Sequence, residues 1–313
     1  MTQSLDLVFC GTPAFAVRSL EKLVASGFRT QLVVTQPDRP KGRGLGLVAS
    51  PVKESALKLS LPIAQPERIR NNEEFRSQLA VIKPDAIIVV GYGRIIPPWM
   101  LDLPRHGNIN LHASLLPKYR GAAPIQWAIA SGETVTGNTT MRIDAGLDTG
   151  DILLQEELAI DPDDTAVTLA PRLADMGADL LVKTLHGLDS GTIKPIKQDD
   201  SQASLAPILK KEDGAIDFGR SASEIRNRVR GFQPWPGAHT KFRGKNLQIL
   251  KARVSTEAVA PAELQVSANR LLVGCANNTT LEVLEVQLEG KKRSLAQDFI
   301  RGYRLQNHEM LGT

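Results

Sequence analysis

The chain has 313 residues, 42% of them hydrophobic, and a formal net charge of +4, enough for two ordinary domains with cores of their own and inconsistent with a disordered chain. Its two cysteines, Cys10 and Cys275, stand 265 positions apart in apolar runs, so neither a disulfide framework nor a zinc site is expected. No stretch approaches about 18 uncharged apolar residues and the start lacks a basic n-region, which reads as a cytoplasmic chain with no membrane contact.

Residues 5–10 form an apolar run into Gly11-Thr-Pro13, and residues 14–26 carry apolar side chains at helical spacing until Gly27 stops the pattern. Further strands are expected over 31–35 and 85–90, with helices over 54–59 and 72–82 between them. Repeated strand-helix units with unbroken apolar strands predict an α/β domain on a doubly wound, Rossmann-like parallel sheet, because helices must cover both faces. The turn Gly11-Thr-Pro-Ala-Phe-Ala16 lacks the Gly-x-Gly-x-x-Gly spacing that lets backbone approach a pyrophosphate, which argues against a nicotinamide-dependent dehydrogenase.

A strand over 108–111 leads to a loop shaped by Pro117, Gly121 and Pro124, then to a helix over 125–131. Strands over 139–143 and 151–157 bracket the turn Gly146-Leu-Asp-Thr-Gly-Asp151, and an amphipathic helix is expected over 164–187. The Gly, Pro, Ser and Asp content after it suggests a catalytic domain over 1–189, a linker over 190–207 and a second domain over 208–313. A helix over 223–230 and short strands over 246–254, 270–275 and 280–287 suit a small β-barrel there. Residues 208–313 hold 17 Lys and Arg against 11 Asp and Glu, whereas residues 1–207 hold 21 against 23. The basic balance of the C-terminal third suits either a polyanion such as RNA, gathered by counterion release, or an ordinary solvated surface.

The chemistry concentrates in Asn110-Leu-His112 and in Asp148, 36 residues after His112. Acyl transfer to an amine makes an oxyanion that needs donors and an ammonium proton that needs an acceptor. An amide, an imidazole and a carboxylate meet those needs, with Asp148 keeping His112 charged. In an open α/β sheet ligands bind beyond the carboxyl ends of the strands, where both loops would then sit. A strand-edge Asn, a satisfied His and a turn Asp are the alternative. His106, His186, His239 and His308 have no ligand-like spacing. Arg39, Lys41 and Arg43 lie in a Gly- and Pro-containing run that leaves three cations exposed, as phosphate contacts or as a solvated loop. Backbone groups of Gly91-Tyr-Gly-Arg-Ile-Ile-Pro97, after a buried strand, are free to read a flat heterocycle edge. Trp235, between Pro234 and Pro236, is either a base-stacking platform or a packed corner, and is not assigned to the site.

Asn110-x-His112 with Ser114-Leu-Leu-Pro-x-Tyr-Arg-Gly-Ala-Ala-Pro124, followed by Gly146-Leu-Asp-Thr-Gly-Asp151, resembles the folate-dependent formyltransferases. The basic loop 36–44, Pro234-Trp-Pro236 and Gly290-Lys-Lys-Arg-Ser-Leu-Ala-Gln-Asp-Phe299 resemble the members that act on methionyl initiator tRNA, although Met is more usual at the Leu295 position. The resemblance implies a Rossmann-like domain joined to an OB-like barrel, and formyl transfer from 10-formyltetrahydrofolate, a co-substrate rather than a bound cofactor, to the α-amine of methionyl initiator tRNA. It further implies that Asn110, His112 and Asp148 are catalytic. Ser114, Leu115, Leu116 and Pro117, with Tyr92, Gly93, Arg94, Ile95 and Ile96, would line the folate site. Arg39, Lys41 and Arg43 would meet the tRNA acceptor stem. No metal is required, and a monomer is expected because no extensive apolar or heptad surface is visible. A formyltransferase acting on an amino sugar nucleotide or glycinamide ribonucleotide would share the three residues without needing the basic loop or the basic C-terminal module. A non-catalytic RNA-binding chain would need neither His112 nor Asp148.

Overall fold

β1 (Asp6–Gly11), α1 (Ala14–Ala25) and β2 (Arg29–Val34) open the chain as the strand, turn and helix that the apolar spacing predicts. The structure, a computed structural model, describes residues 4–41 and 46–312, so the expected tRNA contact Arg43 lies outside the described residues. On either side of it β3 (Arg39–Lys41) and β4 (Gly46–Val48) pair antiparallel, Arg39 opposite Val48, where only an irregular basic loop was expected. α2 (Pro51–Lys58) starts at Ser50, whose hydroxyl accepts from the Lys53 N–H, and α3 (Glu73–Ile82) starts at Asn72, whose side chain accepts from the Phe75 N–H. The remaining elements to residue 189 are β5 (Ile63–Ala64), β6 (Ala86–Val90), α4 (Pro98–Leu101), β7 (Asn108–His112), α5 (Pro124–Ala130), β8 (Val135–Arg142), β9 (Ile152–Ala159) and α6 (Ala166–Asp189).

The chain divides into two units, one of Met1–Gly121, Thr136–Leu158 and Ala170–Leu205, the other of Ala122–Val135, Ala159–Leu169 and Ala206–Thr313. In the first, seven strands lie in the order β5-β2-β1-β6-β7-β8-β9. Strand residues alternate between two apolar layers, as the pleat requires. Leu7, Phe9, Ile88 and Val90 pack with Leu20 and Leu23 of α1 on one face, and Val8, Cys10, Ile87 and Val89 with Phe75 and Leu79 of α3 on the other. Burial of both faces explains why β6 reads as an unbroken apolar run.

Pairing is parallel from β5 through β7, but β8 runs antiparallel to β7, which corrects the expectation of a wholly parallel sheet. The chain leaving β7 re-enters the sheet at the same end, Thr139 opposite His112 and Arg142 opposite Ile109. A parallel neighbour would need a crossover back to the far end.

The second unit contains a 3-10 turn (Lys211–Gly214) and α7 (Ala222–Gly231), β10 (Ala238–Phe242), β11 (Lys245–Ser255), β12 (Leu264–Ser267), β13 (Arg270–Cys275), β14 (Thr279–Leu288), β15 (Ser294–Leu295) and α8 (Ala296–Tyr303). Ser221 and Glu224 close a capping box at the start of α7. The sheet is antiparallel, in the order β10-β11-β14-β13-β12 with β15 against β14, and among the described residues no pairing closes β12 onto β10. α5, which the sequence places between two strands of the first unit, belongs to this one, where Trp127 meets Phe232 edge to face at 5.3 Å between ring centroids.

Candidate active site

Asn110 and His112 are two residues apart on β7 and project from one face of the sheet. Because β8 is antiparallel, the loop carrying Asp148 leaves the sheet beside Asn108, whose carbonyl accepts from the Ile143 N–H at 2.8 Å, and folds back over that face. This corrects the expectation that both loops simply extend beyond the carboxyl ends of parallel strands. The fold-back brings the three side chains together. The Asn110 amide donates to Asp148 Oδ1 at 3.5 Å, and His112 Nδ1 stands 3.6 Å from Asp148 Oδ2.

Several contacts hold this loop. Asp144 Oδ1 accepts from the Gly146 N–H at 2.9 Å and from the Thr149 hydroxyl at 2.8 Å. A Cβ on Gly150 would overlap the Arg142 carbonyl, so only glycine fits there. The Gly121 N–H donates to Asp148 Oδ2 at 2.8 Å, and Asp148 itself adopts a left-handed backbone with φ of +52°.

His112 is buried, and its Nε2 lies 2.8 Å from the Tyr119 carbonyl. A carbonyl only accepts, so Nε2 carries the proton and Nδ1 is the nitrogen facing Asp148. Burial pushes the imidazole pKa below its ordinary value, against the opposing pull of the Asp148 charge and the Tyr119 carbonyl. Burial thus favours the neutral imidazole, with Nδ1 as the nitrogen free of the proton, and works against the expected standing imidazolium.

The segment Ser114–Pro117 is riveted to β8 and β9. Thr139 Oγ1 donates to the Ser114 carbonyl at 2.7 Å and accepts from the Leu116 N–H at 3.1 Å, while Gln155 Nε2 donates to the Leu116 carbonyl at 2.8 Å. Ser114 is fully buried, its hydroxyl donating to the Lys118 carbonyl at 2.6 Å, and Leu116 packs with Met141 and Ile152. Leu115 lies beside Gly137, where an added Cβ would strike it.

Neighbours of β1 run in opposite sequence directions, β2 on one side and β6 on the other, so the connections at their carboxyl ends diverge. There a cleft of about 490 Å³ is lined by Thr12, Gln36, Arg39, Ser50, Gly91 and Gly93, among others. Tyr92 is buried, with its carbonyl accepting from Gln36 Nε2 at 3.0 Å, and burial raises its phenol pKa. Ile96 is buried and Ile95 is exposed, so Tyr92, Gly93, Arg94, Ile95 and Ile96 do not present one uniform wall. Arg39 is exposed at the start of the hairpin, and Lys41 ends its first strand. Among the described residues no group of three His, Cys, Asp or Glu side chains could hold a metal ion.

The sequence matches the family described as Formyl transferase over residues 6–185 and the Formyl transferase, C-terminal domain over residues 208–304. The chain belongs to the formyl transferase family. Methionyl-tRNA formyltransferase of Koribacter versatilis is 66% identical over 306 residues, 98% of either chain. Its counterpart in Acidobacterium capsulatum is 61% identical over 310 residues, 98% of this chain and 100% of the relative. Two solved structures share the fold. One is WlaRD, a sugar 3N-formyl transferase, with a TM-score of 0.67 at 21% identity over 93% of this chain and 100% of the other. The second is methionyl-tRNA formyltransferase from Clostridium thermocellum, with a TM-score of 0.53 at 18% identity over 80% and 93%.

In this formyl transferase the residues that the sequence reading missed are the ones surrounding the three side chains: Tyr119, Gly121 and Gln198. Tyr119 and Gly121 act through backbone atoms, which carry no residue-type signal. Gln198 falls in the stretch expected to be a linker, and only its burial distinguishes it.

Proposed function

We propose that this chain transfers the formyl group of 10-formyltetrahydrofolate to the α-amine of methionyl initiator tRNA. The observation that carries the reading is the convergence of Asn110 and His112 on the Asp148 carboxylate, at 3.5 and 3.6 Å, in a chain 66% identical to a methionyl-tRNA formyltransferase along nearly its whole length. The neutral amine attacks the formyl carbon, a C–N bond forms and the carbonyl electron pair moves onto oxygen. The Asn110 amide N–H donates to that oxyanion. Asp148 accepts the ammonium proton directly or through one water and shares it with His112 Nδ1, so the imidazole becomes cationic as the oxyanion develops. Collapse breaks the bond from the carbon to the folate nitrogen, which leaves with that proton. No covalent enzyme intermediate is needed.

The folate lies along Ser114–Pro117 and the Tyr92–Ile96 strand end, and Arg39, Lys41 and Arg43 meet the acceptor stem. Residues 1–189 carry the chemistry, 190–207 connect, and 208–313, an OB-like sheet, hold the RNA. In that module a polar cleft of about 420 Å³ between Lys211, Lys241, Asn246, Gln248 and Gln287 suits a sugar-phosphate backbone. The protein acts as a cytoplasmic monomer; no helix among the described residues is long and apolar enough to cross a membrane.

The test incubates purified protein and 10-formyltetrahydrofolate with methionyl initiator tRNA, an amino sugar nucleotide or glycinamide ribonucleotide. Formyl transfer to the tRNA ester alone is the expected result. Transfer to either small amine in preference to the tRNA overturns the assignment.

A further inference from the structure

The stretch after α6 returns to the first unit and ties down the backbone on which the catalytic side chains rest. Gln198 is 6% exposed and all its hydrogen-bonding capacity is used. Its Nε2 donates to the Asp148 carbonyl at 2.9 Å and to the Gly150 carbonyl at 2.8 Å, while its Oε1 accepts from Arg120 Nε at 3.0 Å and Nη2 at 2.8 Å. A guanidinium only donates and a carbonyl only accepts, so this amide fits in one orientation and cannot flip. Arg120 is 7% exposed and is held in turn by Asp200, whose Oδ1 accepts from Nη2 at 2.8 Å. Six residues along, the Ser204 hydroxyl accepts from the Tyr119 N–H at 2.9 Å and the Ser204 carbonyl from the Arg120 N–H at 2.8 Å. The loop so held supplies the Tyr119 carbonyl to His112 and the Gly121 N–H to Asp148.

We propose that Gln198, oriented by Arg120, is a positioning residue that sets the Asp148 carboxylate for formyl transfer by clamping the carbonyls of Asp148 and Gly150. The proposal rests on the function given above. A left-handed backbone costs a residue other than glycine some strain, and at Asp148 the Gln198 amide on its carbonyl and the Gly121 N–H and Asn110 amide on its carboxylate hold it there. Asp148 and Gly150 lie in a loop whose own side-chain ties stop at Asp144 and Thr149. Without the clamp the carboxylate keeps the Gly121 N–H and the Asn110 amide but the backbone carbonyls behind it lose theirs, so the distance that proton transfer needs is no longer fixed from both sides.

The discriminating variant is Gln198→Glu, which keeps the volume and pairs more strongly with Arg120 but turns an acceptor toward two carbonyls. Single-turnover transfer to methionyl initiator tRNA is expected to slow by tenfold or more, with the KM for folate and for tRNA each within twofold of wild type. In an Asp148→Asn background the same change is expected to cost less than threefold, because the clamp acts through the carboxylate already removed. A wild-type rate in Q198E, or an equal loss in both backgrounds, overturns the proposal. Should Q198E fail to fold, Arg120→Lys, which keeps the charge and loses the fork, runs through the same cycle with the same outcomes. The wild-type control separates the two claims: no transfer to tRNA there removes the function and the clamp together, whereas wild-type transfer with an unaffected clamp variant removes the clamp alone.

Discussion

At the residue scale the site is three side chains whose surroundings assign them different work. The Asn110 amide is the donor with no proton to lose, and Asn110→Ala is expected to lower kcat on the order of 10²-fold with little change in KM, the usual cost of one oxyanion donor, as read by single-turnover kinetics. His112 is held neutral by burial, so its folded pKa lies below its unfolded one. The sign follows. Below the unfolded value the denatured chain binds the extra proton, so stability from this group is present above about pH 6.5 and is lost as pH falls from there toward the folded pKa. His106, also depressed by burial, contributes in the same direction. Urea unfolding of His112→Asn across pH 5 to 7 is expected to show a shallower acid decline than wild type, by up to about 1.4 kcal/mol per pH unit for one proton. A parallel decline in the two proteins contradicts the buried, neutral assignment. That Asn110, His112 and Asp148 stand together was legible in the sequence, because residue type and the strand and turn that carry them point to one place. Gln198 and Arg120 were not, because their role is set by a hydrogen-bond geometry that arises only when residues 78 positions apart meet.

At the element scale, unbroken apolar runs located β1 and β6, which are buried on both faces, and helical periodicity located α1 and α7, each of which buries one face, to within a few residues. Strand direction was another matter. β8 is buried although rich in Thr, nothing in its composition marks direction, and only the path of the chain after His112 makes it antiparallel. The reversal puts the Asp148 loop over the face of β7, and the close approach of Gly150 to Arg142 permits the fold-back. Gly150→Ala is therefore expected to shift the loop and slow transfer by tenfold or more, since a misplacement of about 1 Å can cost on the order of 10²-fold. Transfer at the wild-type rate by a folded G150A protein would show that the loop's path does not set the chemistry. The hairpin of β3 and β4 was legible as a basic segment but not as paired strands, because Pro40 and flanking glycines mask strand propensity.

At the scale of the whole molecule, charge is divided unevenly, with the +6 balance in residues 208–313 and −2 in the rest. A long polyanion engaged by both parts releases counterions in proportion to its phosphate contacts. Arg43→Ala is expected to weaken binding of methionyl initiator tRNA and to reduce the slope of log Kd against log salt by about one contact, leaving folate affinity unchanged. An unaltered slope counts against the basic loop as a phosphate reader. The sequence pointed to a break near residue 208 through composition, yet α5 and residues 159–169 fold with the later part of the chain, a tertiary association that no local pattern announces.

Formyl transfer by this chain depends most directly on the Asp148 carboxylate as the group proposed to take the proton of the attacking amine. Single-turnover formyl transfer from 10-formyltetrahydrofolate to methionyl initiator tRNA by Asp148→Asn measures it, because the change keeps the side chain's size and removes only the basic oxygen. The predicted result is a rate lower by about 10²-fold or more with both substrates still bound. A rate within a few-fold of wild type, in a protein of wild-type stability, contradicts the mechanism.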